Sequence, residues 1–227
     1  MFSTFPPLYA QIKTEDSIPS NKLKQLKIRE SKPDYVHQVR IGADLGTIVY
    51  NFAQENRTGY NFIADYALPK NVYLNLGTGF GKGNVDYDHL KYSTQSYFIR
   101  AGVDKSLLDQ LSKNDFDIAF IGAAYGLGIG QRSAASYTVP TPFGPDISGT
   151  SPQQNFVVHW GELTAGIRVE LWNNIFAGWN VRARFLLNTG VFDELAPNFI
   201  AGYGKADKAT SFGFNFYLCY AFRWGGG

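Results

Sequence analysis

The segment Phe212-Gly213-Phe214-Asn215-Phe216-Tyr217-Leu218-Cys219-Tyr220-Ala221-Phe222-Arg223-Trp224 decides how the rest of the sequence is read. Its even positions are Phe, Phe, Phe, Leu, Tyr, Phe and Trp, and its odd positions are Gly, Asn, Tyr, Cys, Ala and Arg. Successive side chains of a strand point to opposite faces, so this alternation predicts a strand with one unbroken aromatic and aliphatic face. Few soluble sandwiches bury a run of large aromatics ending in Tyr220, Phe222 and Trp224. In a transmembrane barrel the apolar face meets lipid, and aromatic girdles mark the two interfaces.

Seven further segments alternate in the same way. The first sets Val39, Ile41, Ala43, Leu45, Thr47 and Val49 against Arg40, Gly42, Asp44, Gly46, Ile48 and Tyr50. The second sets Tyr60, Phe62, Ala64, Tyr66 and Leu68 against Gly59, Asn61, Ile63, Asp65 and Ala67, and a Pro69-Lys70-Asn71 turn follows. The third carries Val72, Leu74, Leu76, Thr78 and Phe80 outward. The fourth, Gln95 to Lys105, carries Tyr97, Ile99, Ala101 and Val103. The fifth, Phe116 to Gly130, alternates less cleanly, and its glycines point to a bend or a crowded interior. The sixth, Phe156 to Trp172, puts Leu163, Ala165, Ile167, Val169 and Leu171 opposite Trp160, Glu162, Thr164, Arg168 and Glu170. After Asn173-Asn174, the seventh puts Trp179, Val181, Ala183, Phe185 and Leu187 opposite Gly178, Asn180, Arg182 and Arg184. The first three each have about the 9 to 11 residues a tilted membrane strand needs.

The expected fold is therefore all-β, an eight-stranded antiparallel transmembrane β-barrel over residues 36–224. The connections after the second and sixth segments are tight. Those after the third, fifth and seventh are long, among them Gln131 to Asn155 and Asn188 to Lys208, and such asymmetry is usual in outer-membrane barrels. The connection after the first is short, and Ser106 to Asp115 is long for its side. An even strand count places both termini at the periplasmic end.

Composition narrows the function classes. The chain has 227 residues, 21 basic and 19 acidic, for a formal net charge of +2. That balance argues against nucleic acid, which calls for a basic stripe. No apolar run approaches the roughly 20 residues of a membrane helix. A chain that spans a bilayer must then close as a barrel, because hydrocarbon leaves unpaired backbone groups unsatisfied. One cysteine excludes an internal disulfide framework and a cysteine metal cluster.

Before the first strand, Leu8-Tyr9-Ala10 followed by Gln11 looks like the end of a secretory signal, so residues 1–11 are read as a signal-peptide remnant. Residues 12–35 are polar, rich in Lys and interrupted by Pro19 and Pro33, and are expected to form a flexible periplasmic tail. Residues 225–227 form a C-terminal tail.

Eleven charged residues of the barrel segments share one parity. Arg40, Asp44, Asp65, Arg100, Asp104, Glu162, Arg168, Glu170, Arg182, Arg184 and Arg223 fall opposite the apolar stripe. An arginine on the lipid face near the midplane would cost about 2 to 4 kcal/mol. These groups are expected inside, as an ion-pair network that closes the lumen, since an eight-stranded barrel is only wide enough for side chains to fill it. This argues against a diffusion pore of porin type, which requires many more strands. Interspersed arginines make pairing the default for the carboxylates, ahead of acid-base chemistry.

Other chemistry is sparse. His37, His89 and His159 are too far apart for a metal or nucleophile-base constellation. Gly77-Thr78-Gly79-Phe80-Gly81-Lys82-Gly83 lacks the ending of a phosphate loop and sits inside a strand pattern. It is read as a bend with room for bulky lumen neighbours, and Cys219 as a small packing residue. No catalytic residue, cofactor or metal is expected.

On its strand layout, the inward Arg40 and Asp44, and the Tyr220-Ala221-Phe222-Arg223-Trp224 ending, the chain resembles a family of small, uncharacterised outer-membrane barrels of Bacteroidota type. The architecture this implies resembles that of OmpA and OmpX. The resemblance covers Val36 to Trp224 and implies an insertion signal at Tyr220, Phe222 and Trp224 read by the barrel-assembly machinery. It also implies contact with outer-membrane lipid and an accessory place in a larger outer-membrane protein complex. Gly225 to Gly227 after the final aromatic depart from the usual ending. The function expected is thus a non-enzymatic structural or accessory component of the cell outer membrane, with the Pro-rich 131–155 loop around Phe143 as a contact surface. Two alternatives stand beside it. A lipid-modifying enzyme would depend on groups such as Glu162 and His159. A soluble lipocalin-like binding barrel would turn the aliphatic face inward and the charges outward.

Overall fold

A computed structural model describes residues 36–54, 56–108, 115–192 and 195–225. The signal remnant, the tail at 12–35, the middle of the Ser106 to Asp115 connection and the last two glycines lie outside the described residues.

The described chain forms ten strands and one α-helix: β1 (His37–Asp44), α1 (Leu45–Ala53), β2 (Arg57–Leu68), β3 (Val72–Tyr87), β4 (Leu90–Ser106), β5 (Ile118–Arg132), β6 (Ala135–Val139), β7 (Ile147–Ser151), β8 (Gln154–Trp172), β9 (Ile175–Leu186) and β10 (Thr210–Trp224). Eight close a barrel in the order β3-β2-β1-β10-β9-β8-β5-β4, and pairing of β3 with β4 completes the ring. All neighbours are antiparallel. At one end the β2–β3 and β8–β9 turns are short. Lys70, Asn71 and Asn174 adopt positive φ there, a conformation that asparagine tolerates because its short polar side chain bonds locally.

The barrel is apolar outside. Ile41, Phe62, Leu76, Ile99, Leu163, Val181, Phe214 and Phe222 are exposed, while Arg40, Asp65, Glu162 and Arg168 are buried inside. Two glycine rows let large groups into so narrow a lumen. A Cβ at Gly77, Gly79 or Gly81 would run into Arg100, Phe98 or Phe199, and one at Gly126 or Gly130 into Trp160 or Phe156. The β3 glycines make room as expected without ending the strand, which runs on to Tyr87.

Three expectations for the other end are corrected. Strand one stops at Asp44, and residues 45–53 are helical. Leu45, Ile48, Val49 and Phe52 stand at helical i, i+3, i+4, i+7 spacing, and Asp44 caps the helix by accepting from Thr47 N. The expected long loop after strand three is a continued hairpin paired to Tyr87↔Leu90, with only Asp88 and His89 between its strands. The 131–155 loop is mostly a second hairpin, β6 with β7, and β6 adds to β4 through Leu90↔Tyr137. At its base, buried Arg132 donates to Ser133 O, Pro152 O and Ser151 Oγ.

The segment after β9 does not stay outside. Residues 195–209 fold back into the mouth of the barrel, where Ile200, Ala201 and Tyr203 are fully buried against Phe98, Phe156, Val158 and Trp160. Ser96 Oγ accepts from Ala201 N at 2.8 Å, and Arg184 Nη1 donates to Tyr203 O at 3.0 Å. Gly202, at φ +75°, lies so close to the Phe98 ring that no side chain would fit. This plug is apolar, which the ion-pair picture of a closed lumen did not include.

Candidate functional site

The inward charges form separate groups. Nearest the tight turns, Arg223 donates to Gln38 Oε1 at 2.9 Å and pairs with Glu170 at 2.6 Å. Above them Asp65 lies between Arg40, at 2.7 Å, and Arg168, at 3.0 Å. Aromatic rings complete this layer: the Arg40 guanidinium is 4.8 Å from the Tyr73 ring centroid, Arg168 5.1 Å from that of Phe120, and Arg223 4.3 Å from that of Phe116. Such stacking compensates guanidinium groups that have lost their water. Further up, Glu162 faces Arg100, Arg182 and Arg184 at 3.6, 3.4 and 3.3 Å.

Two members of the expected network are held differently. Asp44 accepts from Asn61 at 3.2 Å, from Thr47 Oγ1 at 2.7 Å and from Asn215. It is a helix cap, with neutral donors around it. Asp104 accepts from Asn75 at 2.8 Å, and a Cβ at Gly122 would collide with it. Tyr220, Phe222 and Trp224 all point outward. Trp224 stacks on His37 at 5.7 Å between ring centroids, and His37 Nδ1 meets Tyr66 Oη at 2.8 Å. His159 meets Tyr125 Oη at 3.0 Å on the outer face. Among the described residues no cluster of three metal-binding side chains occurs.

Sequence reasoning missed a second site. The last β1–β10 pair is Asp44↔Tyr217 and the last β1–β2 pair is Ala43↔Phe62, so β10 above residue 217 and β2 before residue 62 face each other with no strand between them. Helix α1 stands in this notch. Its Asn51 side chain copies a strand neighbour: Nδ2 donates to Gly59 O and Oδ1 accepts from Gly59 N, both at 2.7 Å.

Between α1, the β2 and β10 edges and the plug lies a cavity of about 720 Å³. Arg57, Lys205, Lys208 and the carboxylate Asp207 line it, as does Arg184 of the lumen cluster. The Arg57 guanidinium rests 3.5 Å from the centroid of Phe199. Among the described residues no carboxylate pairs with Arg57, Lys205 or Lys208. Burial raises the Tyr203 phenol above its ordinary range, and its hydroxyl donates to Lys208 O at 2.8 Å, which fixes the turn that carries the lysines. The sequence signal for the notch was the N-capping Asp44 followed by helical apolar spacing, which period-two reading absorbed.

The chain belongs to the family described as Domain of unknown function (DUF6048), whose model matches residues 4–222. No curated protein matches it. Among solved structures it is similar to Ail of Yersinia pestis, 11% identical over 84% of this chain and 99% of that one, with a TM-score of 0.40. It is also similar to Neisserial surface protein A, 12% identical over 83% and 97% with a TM-score of 0.37. The N-terminal β-barrel domain of Pseudomonas aeruginosa OprF is 12% identical over 82% and 97%, with a TM-score of 0.32.

Proposed function

We propose that this member of the DUF6048 family is a non-enzymatic β-barrel of the cell outer membrane, a structural or accessory component that presents surfaces to partners and conducts nothing. One observation carries the reading: the molecule is inside out for a soluble protein, with an exposed apolar belt around buried paired charges. In water such a belt would be a large aggregation liability, whereas in lipid it is the required surface. The same arrangement weighs against a lipocalin-like barrel. The lumen charges support structure ahead of catalysis, since Asp65, Glu162 and Glu170 each engage at least one arginine. Ion pairs below and the apolar plug above fill the path a solute would take.

Insertion would proceed through the barrel-assembly machinery, with Tyr220, Phe222 and Trp224 as its signal. The accessory role is supported by the β6–β7 hairpin, whose tip residue Phe143 is 99% exposed and flanked by exposed Val139 and Ile147. An apolar tip held clear of the barrel fits a protein partner.

The experiment is extraction of the full chain from envelope membranes in mild detergent, followed by identification of stoichiometric partners and by conductance measurements in planar bilayers. The expected result is membrane fractionation, no stable conductance, and a partner set lost in Phe143→Ser, whose barrel stays folded. Recovery in the soluble fraction, steady single-channel currents, or an unchanged monomer in both variants would each overturn part of this reading.

A further inference from the structure

The notch cavity adjoins a second recess outside the barrel wall. On the outer face lies a trough of about 590 Å³ whose lining includes Leu163, Ala165, Val181, Ala183, Phe212 and Phe214. It shares Phe212, Gly213 and Phe214 with the cationic cavity. Its shape follows from the register: Ala183 pairs with Leu163 on one side and Phe212 on the other, so a methyl group forms the floor between two large walls. The cationic cavity and the apolar trough thus adjoin at β10, whose β1-side edge beyond Tyr217 no strand covers while β9 pairs the other edge.

Height decides what the recess meets. Phe212 stands twelve residues along β10 from Trp224, a distance of about 30 Å along the axis of a barrel with strands tilted by about 40°. With Trp224 at the inner interface, the trough lies in the outer leaflet and the cavity at its headgroup level. Helix α1 borders the cavity, and its Val49 and Phe52 are exposed. Arg57, Lys205 and Lys208 face the recess with one carboxylate, Asp207, for company among the described residues. Below them Glu162 is shared among three arginines, so the lumen adds positive charge.

We propose that this recess binds a phosphate-bearing lipid of the outer leaflet, its phosphate held by Arg57, Lys205 and Lys208 and an acyl chain laid along the Ala183 trough. The inference rests on the outer-membrane reading above. A phosphomonoester offers three acceptor oxygens to the cationic donors that line the cavity. A ligand with both a phosphate and a chain uses both halves of the recess, whereas free phosphate uses one.

Native mass spectrometry of the full chain, released from detergent micelles, tests this with phosphatidic acid, phosphatidylcholine and inorganic phosphate as probes. Phosphatidic acid should be retained in preference to phosphatidylcholine, whose choline cation opposes the site, and millimolar phosphate should not displace it. Combined Arg57→Gln, Lys205→Gln and Lys208→Gln substitution should lower its retention about ten-fold. Ala183→Leu, which fills the trough from the lipid side without touching the cations, should lower it as well. Folding of each variant is checked by the heat-modifiable gel mobility of an intact barrel. Equal retention by the folded triple variant, equal binding of phosphatidylcholine, or displacement by free phosphate would overturn the proposal. A protein that floats with membranes yet binds no phosphatidic acid sinks this inference alone, while one that fails to float sinks the membrane reading.

Discussion

Toward the tight turns, Asp65 sits between Arg40 and Arg168, strand β1 is paired on both sides, and aromatic rings fill what remains. Toward the long connections, Glu162 faces three arginines, β1 has ended, and a helix and a folded-back loop close what the sheet leaves open. Both halves hold buried guanidinium groups in the same eight-stranded ring, and yet they are built for different ends. In the lower half Arg40, Asp65 and Arg168 are almost wholly shielded from solvent. Such a cluster is worth little as net stability but is costly to break. In the upper half Arg184 opens onto a cavity whose other cations lack carboxylate partners among the described residues. The lower half is suited to holding the barrel shut, and the upper half has attraction left over for something outside the chain.

The sharpest way to break that contrast is Asp65→Asn. It leaves two buried cations without their carboxylate, and unfolding in detergent should show a loss of about 3 to 5 kcal/mol. Glu162→Gln removes the carboxylate from three arginines, but Arg182 keeps Asn180 Oδ1 and Arg184 keeps Tyr203 O as acceptors, so a smaller loss of about 2 to 3 kcal/mol is expected in the same assay. If the second loss exceeded the first, the distinction between a lower cluster held by one carboxylate and an upper one with further acceptors would fail. Asp44→Ala tests the seam between them, because it removes the α1 cap together with the bonds from Asn61, Thr47 and Asn215. A loss of about 1 to 2 kcal/mol is expected, and hydrogen exchange should quicken across residues 45–53 while β1 and β10 below stay protected. Uniform loosening of the barrel would show that α1 is part of the wall and no separate element.

The contrast also explains where sequence reading worked. The parity of Arg40, Asp65, Arg168 and Arg223 places them inside because one charge on the lipid face costs more than any local preference can recover. The tight turns at Pro69-Lys70-Asn71 and Asn173-Asn174 were legible for the same local reason, turn chemistry. Residues 45–50 were not. Leu45, Thr47 and Val49 alternate as a strand would, and Leu45, Ile48, Val49 and Phe52 repeat as a helix would. What separates the two is Asn51 reaching Gly59 and Asp44 meeting Asn215, contacts between residues far apart in sequence. The loop at 195–209 was read as external because nothing in its own residues states that Ile200 and Tyr203 find a pocket under Trp160.

From sequence alone came the eight-strand count, the outward apolar face and the inward position of the charges, all consequences of period-two alternation along single strands. The end of β1, the helix in the notch, the plug and the cationic recess were decided by tertiary structure, because each depends on which distant groups fill the space a short strand leaves behind.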